Sequence, residues 1–138
     1  MTDAVIETRI PLRWADTDAL GHIYHAVHVQ LIDEARGLWL DGLRAPGAPM
    51  WDHAVIRLEL DFRAELRYED EAVIVSCRGT GFGTRSVRTH EQMRTPAGTL
   101  VAEARTVVVA WDQDAHAARP LTGPERALLE TRCVGLMS

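Results

Sequence analysis

Neither lysine nor asparagine occurs anywhere in the 138 residues. Without lysine there is no amine to form a Schiff base with a carbonyl substrate. Without asparagine there is no acceptor for N-linked glycosylation. Cysteine is nearly absent too: Cys77 and Cys133 lie far apart, match no metal or redox spacing, and are expected reduced. No apolar run is long enough to cross a bilayer, and the start (Met1-Thr2-Asp3-Ala4) has neither a basic flank nor an apolar stretch. A soluble, cytoplasmic protein with no membrane partner is expected. The formal charge of −5 offers no broad basic face, which argues against nucleic acid as a partner. All 15 basic residues are therefore arginine. Guanidinium forks suit phosphate, but biased codon usage leaves the same composition.

What is present is an ordinary globular balance, 46% hydrophobic and 25% charged, with no repeats, linkers or low-complexity segments. The length suits one domain, residues 1–138, around one core. From Val5 to Trp14 the residues alternate, with Ile6, Ile10, Leu12 and Trp14 on one side, as in a half-buried strand. A loop over Asp16–His22 follows, with Gly21 as its turn residue. Around Tyr24 the period becomes helical: Val27, Leu31, Ala35 and Leu38 form a stripe that Ile32 and Trp39 broaden. The helix should end near Leu43, stopped by Gly42 and the stretch from Pro46-Gly47 to Pro49.

From Ile56 to Tyr68 every even position is apolar or small and every odd one is charged. This predicts a strand about 40 Å long. A third strand is expected over Ala72–Arg78, followed by a bend at Gly79, Gly81 and Gly83. A fourth runs from about Thr84 to Met93, and Pro96-Ala97-Gly98 makes a hairpin turn. The fifth covers about Thr99 to Trp111, with Ala102, Ala104, Thr106 and Ala110 making one small-residue face for a helix to approach. Thr122 and Glu125 form a capping box that opens a short terminal helix. One apolar helix of about 27 Å and five long strands imply an α+β fold, an antiparallel sheet wrapped around a central helix. Such a sheet leaves an edge to cover, so a homodimer or homotetramer is expected.

The residues able to carry chemistry cluster between the first strand and the helix: Asp16, Asp18, His22, His25 and His28. A carboxylate just before a helix has two readings. It caps the first N–H groups, or it stands beside free N–H groups that stabilise an oxyanion while it attacks or activates water.

The stretch Trp14-Ala-Asp16-Thr-Asp18-Ala-Leu-Gly21-His22-Ile-Tyr24-His25-Ala, continuing to Glu34-Ala35-Arg36, resembles the 4-hydroxybenzoyl-CoA thioesterase family. It is most similar to the bacterial branch with the pattern D-T-D-x-x-G-x-x-Y-H-A. The likeness extends through Leu60-Asp61-Phe62, Arg67-Tyr68-Glu69-Asp70, Gly83-Thr84-Arg85-Ser86, Val109-Ala-Trp-Asp112 and Arg119-Pro120-Leu121. It implies the hot-dog fold and hydrolysis of an acyl-CoA, or an acyl-carrier-protein thioester, to the free acid and thiol, with no cofactor. The motif's second aspartate falls on Asp18, implying the nucleophile or general base. Its histidine falls on His25, whose backbone N–H would polarise the thioester carbonyl. Asp16 would hydrogen-bond the loop, and Gly21 and Tyr24 would lie against substrate. The CoA nucleotide is expected near arginines such as Arg85 or Arg88. The sequence departs from its relatives at Tyr24-His25, where asparagines are common, at His28 in place of tyrosine, and at Glu65 in place of proline. These positions bear on the acyl group.

His22, His25 and His28 recur every third residue beside two aspartates, a ligand-rich inventory, yet the loop-to-helix switch divides them and no metal is expected. His53, His90 and His116 stand alone. Trp14, Trp39, Trp51 and Trp111 suit core or interface packing or an aromatic acyl pocket. Ser86 has no nucleophile elbow around it. Two rival functions share the fold. A hydratase or dehydratase of that fold separates its aspartate and histidine by four residues, whereas six lie between Asp18 and His25 and three between Asp18 and His22. A non-catalytic acyl-CoA-binding module is the other, and an intact Asp18 argues against it.

Overall fold

The computed structural model describes residues 5–43 and 52–133, so Trp51 and the segment expected to follow the helix lie outside the described residues. In chain order the elements are β1 (Val5–Pro11), α1 (His25–Asp41), β2 (His53–Phe62), β3 (Ala72–Phe82), β4 (Ser86–Arg94), β5 (Leu100–Asp112), β6 (Ala117–Ala118) and α2 (Gly123–Arg132). The long strands pair antiparallel in the order β1-β3-β4-β5-β2, with β6 added to β5. The sheet curls around α1, which lies over β3, β1 and β4: the hot-dog fold.

Alternation puts Val73, Val75 and Cys77 of β3, Val87 and Met93 of β4, and Ala102, Ala104 and Val108 of β5 on the inner face. They pack with Leu31, Ile32, Ala35, Trp39 and Leu40 of α1 in one core. The capping box of α2 is formed in both directions. Glu125 N–H donates to Thr122 Oγ1 at 3.2 Å, and Thr122 N–H donates to Glu125 Oε1 at 2.8 Å.

Four expectations are corrected. The strand expected over Ile56–Tyr68 is instead His53–Phe62, with a bulge between Val55 and Arg57. Past Phe62 the chain leaves the sheet, because the N–H groups of both Arg63 and Ala64 turn onto the Val101 carbonyl. Leu66 is buried from that loop, and its carbonyl accepts from Ile23 N–H at 2.7 Å. β1 stops at Pro11, and Trp14 is 73% exposed on a short 3₁₀ turn rather than packed inward. On α1, Leu38 is 52% exposed, and the buried stripe runs through His28 and Arg36 instead.

The fourth correction concerns Gly79 and Gly81, which lie within β3 with a register shift between them, while the turn itself falls at Gly83. A methyl group on Gly79 would overlap the indole of Trp39, reaching 2.6 Å from Cη2, and would lie 2.8 Å from Cys133 Sγ. The closest seat for α1 is therefore this glycine on β3, not the small-residue face of β5. Gly79→Ala should cost about 1–3 kcal/mol through overpacking. Gly37→Ala on α1, where an added methyl meets nothing within 4 Å, should add roughly 0.5–1 kcal/mol of helix propensity. Urea unfolding of both variants checks the pair, and a neutral Gly79→Ala would contradict this packing.

Candidate active site

The loop before α1 folds around Asp18. Its Oδ1 accepts from Leu20 N–H at 2.9 Å and from His22 N–H at 3.1 Å, while its backbone pairs with His22 through N–H to O at 2.8 Å. Gly21 closes this turn at φ +79, a conformation costly for residues with a Cβ, and it lies beneath the Arg67 guanidinium. Among the described residues Asp18 Oδ2 has no hydrogen-bond partner. Asp18 thus keeps one oxygen pinned by its own loop and the other unbonded.

The helix that follows lacks a side-chain cap. Tyr24 occupies the N-cap position with no side-chain hydrogen bond to the first turn. Tyr24 N–H donates to the Asp16 carbonyl at 2.8 Å and Val27 N–H to the Tyr24 carbonyl at 2.9 Å. The N–H groups of His25 and Ala26 have no partner among the described residues. Two orphan donors at the positive end of a helix dipole are suited to developing negative charge.

These groups border a cleft of about 380 Å³. Asp18, His22, His25 and His28 line one side, and the Phe62–Leu66 segment leaving β2 lines the other. Phe62 meets the His28 ring edge-on at 5.0 Å between centroids and the His25 ring at 6.5 Å. Tyr24, 46% exposed, meets the His25 ring at a tilt of 51° with centroids 4.3 Å apart, and stands with Gly21 beside the cleft rather than in its wall.

The structure separates the two aspartates. Asp16 forms a two-point pair with Arg13, at 2.8 and 3.0 Å, and borders a different hollow near Ile10 and Val27. The Arg13 guanidinium holds the Asp16 carboxyl below its usual pKa. It separates the histidines as well. His22 Nε2 is 2.7 Å from Glu65 Oε2 across the cleft, and the buried His28 ring donates from Nδ1 to the Tyr24 carbonyl at 3.2 Å. Among the described residues no group of three or more His, Cys, Asp or Glu side chains is placed to hold a metal ion. Arg85 and Arg88 lie outside the walls of this cleft.

The opposite wall, Phe62 to Leu66, was not legible from the sequence, where it read as the continuation of a strand. The one signal there was Glu65, which replaces a proline common in relatives and is the residue that reaches His22.

Residues 12–128 match the profile of the Thioesterase-like superfamily, and the chain belongs to it. A predicted thioesterase from Bacillus stearothermophilus is similar at 25% identity and a TM-score of 0.82, over 94% of this chain and 97% of that one. A thioesterase from Thermus thermophilus, solved with coenzyme A and zinc, is similar at 23% identity and 0.80, over 92% of each chain. A 1,4-dihydroxy-2-naphthoyl-CoA thioesterase from Synechocystis shares the fold at 20% identity and 0.75, over 91% of this chain and 95% of that one. A comparison with curated proteins finds no match.

Burial holds the His28 imidazole below the ordinary histidine pKa, outweighing the hydrogen bond to the Tyr24 carbonyl, which works the other way. In the unfolded chain the ring takes a proton near pH 6.5, so below that pH protonation favours unfolding. Stability should therefore fall as the pH drops below about 6.5, and His28→Phe should lose less over the same interval. Chemical denaturation between about pH 8 and pH 5 measures both slopes. Identical slopes would remove His28 as their source.

Proposed function

We propose that this protein hydrolyses acyl-CoA thioesters to the free acid and CoA, in the manner of the 4-hydroxybenzoyl-CoA branch. One observation carries the reading: a carboxylate with one unbonded oxygen stands in the same cleft as the uncapped N-terminus of α1. The thioester carbonyl oxygen would sit on the N–H groups of His25 and Ala26, where negative charge develops as the carbon becomes tetrahedral. Asp18 either attacks that carbon or takes a proton from the water that does. Collapse of the intermediate expels the CoA thiolate, which takes up the proton the water releases. Where water attacked, the free acid is formed at once; where Asp18 attacked, a water then hydrolyses the acyl-Asp18 anhydride to the acid and restores the carboxylate. Gly21 allows the turn that aims Asp18, while His25, Tyr24 and Phe62 present an aromatic border to the acyl group. The residues alone account for these steps, so no metal or cofactor is assigned. Carrier-protein thioesters present the same reacting bond and belong in the substrate panel.

The working unit is proposed to be a homodimer or homotetramer. β2 is an edge strand carrying exposed Val55, Ile56 and Phe62, and Phe62 also borders the cleft. An unpaired apolar edge is what a second copy would cover. Light scattering at micromolar concentration should show a multiple of 15.4 kDa, and a monomer alone would contradict this assembly.

Asp18→Asn keeps the volume of the side chain and removes its basicity. Its kcat should fall by about 10²–10⁴, with KM and thermal stability little changed. Asp16→Asn, which weakens the pair with Arg13, should cost on the order of 1 kcal/mol of stability and much less turnover. His25→Ala should fall between them, because its backbone N–H survives. Release of thiol from an acyl-CoA panel measures all three. Full activity in Asp18→Asn beside a dead Asp16→Asn would move the chemistry to Asp16 and overturn this assignment.

A further inference from the structure

On the side of the sheet facing away from α1 lies a groove of about 440 Å³, bordered by Arg57, Arg78, Arg88, Arg105, His90 and Glu59. Cross-strand register brings these residues together from four strands. Arg78 opposes His90, His90 opposes Arg105, and Arg105 opposes Glu59, while Arg88 and Arg57 both oppose Val107 one row along. With strands about 4.8 Å apart and rows about 6.8 Å apart, four guanidinium groups share one small patch.

Elsewhere several arginines are matched with acids: Arg13 with Asp16, Arg36 with Glu91, Arg63 with Glu103, Arg119 with Glu125. Arg94 and Arg126 donate to the carbonyls of Gly98 and Gly83, and Arg9 and Arg85 stand apart from the groove. In the groove only Arg57 is matched, by Glu59 at 3.0 Å. Arg78, Arg88 and Arg105 are exposed and form no side-chain hydrogen bond or ion pair among the described residues. Glu103, the other nearby acid, is taken by Arg63 and His90. The Arg88 guanidinium lies over Gly81, which has no side chain to crowd it. A chain carrying −5 overall thus gathers unmatched positive charge at one concave place. Mutual repulsion there is relieved by a bound anion.

We propose that this groove binds a small ligand bearing two or more phosphates. Several guanidinium forks spread over the patch can each grip a phosphate at two points, and their number exceeds what one phosphate occupies. Thr80 adds a hydroxyl, and Val107 an apolar patch, to the lining. The phosphates belong either to a free nucleotide or to the nucleotide end of a CoA thioester, which share this chemistry. Phosphate binding in the groove is tested apart from the hydrolytic reading, and only its assignment to a CoA thioester rests on that reading.

Inorganic pyrophosphate is the probe, titrated calorimetrically into the full chain. One site per chain is expected. Arg88→Gln and Arg105→Gln should each weaken binding by roughly tenfold or more, as for a lost charge-assisted hydrogen bond. Arg9→Gln, on the edge strand β1 and outside the groove, should bind as wild type, and so should Asp18→Asn. Unchanged thermal unfolding shows that the variants fold. Two further arms identify the source. A raised KM for acyl-CoA, with none for the same acyl group on N-acetylcysteamine, assigns the phosphates to the substrate. Weakened ADP binding with an unchanged acyl-CoA KM assigns them to a separate nucleotide. The proposal is overturned if wild type does not bind pyrophosphate or if the groove variants bind it undiminished. It is also overturned if light scattering shows an assembly that the groove variants break, since a second copy then fills the groove.

Discussion

The guanidinium of Arg36 lies inside the curl of the sheet, 3% exposed, and donates to Glu91 Oε1 of β4 at 3.2 Å and to Thr106 Oγ1 of β5 at 3.4 Å. Thr106 in turn donates to the same carboxylate oxygen at 2.5 Å, and Arg36 also reaches Asp33 on its own helix. Taking two charges out of water costs several kcal/mol each, and only close, multiple pairing offsets that. The pair tolerates little displacement: sliding α1 by one residue would carry Arg36 and Asp33 away together and leave the buried Glu91 carboxylate without its cation. It therefore fixes the position of α1 along the sheet, whereas apolar packing alone would accept several positions. Trp39 lying over Gly79, one turn on, fixes its height.

The site inherits that placement. With the middle of α1 anchored on β4 and β5, its first turn emerges beside the segment leaving β2, where Phe62 meets His28 and Glu65 meets His22. The loop carrying Asp18 is tied at both ends. Ile23 N–H is bound to the Leu66 carbonyl, and Tyr24 N–H to that of Asp16. The core thus keeps the uncapped turn of His25 and Ala26 and the Asp18 carboxylate in one cleft. Preorganisation of this kind is what lets backbone N–H groups stabilise charge without rearranging during the reaction.

Much of this was legible from residue types. The 3.6-residue period located α1, the Thr122–Glu125 box located the start of α2, and the D-T-D-x-x-G-x-x-Y-H-A pattern pointed to the loop where carboxylate and helix end meet. The misreadings have a common cause: periodicity reports local alternation, not which partner is there. Alternation continued past Phe62, although the backbone donors of Arg63 and Ala64 had already left the ladder. Gly79 and Gly81 read as the end of a strand, whereas they shift its register within β3, and Gly79 also makes room for Trp39. The pairing of Arg36 with Glu91 gave no signal, since 55 residues separate them and a charge at a helical position reads as a solvated face. The outward row Arg78, His90, Arg105 and Glu59 exists only once four strands are in register.

The central claim is geometric: the thioester carbonyl lies between the uncapped turn of α1 and the unbonded oxygen of Asp18. A crystal structure with a non-hydrolysable acyl-CoA analogue, a ketone replacing the thioester, tests it most directly. The account predicts the carbonyl oxygen, or its tetrahedral counterpart, about 2.7–3.1 Å from the backbone nitrogen of His25 or Ala26. The reacting carbon should then lie about 3–3.5 Å from Asp18 Oδ2, or one water away from it. An analogue bound with its carbonyl away from both groups, and Asp18 still turned into its own loop, would contradict the account.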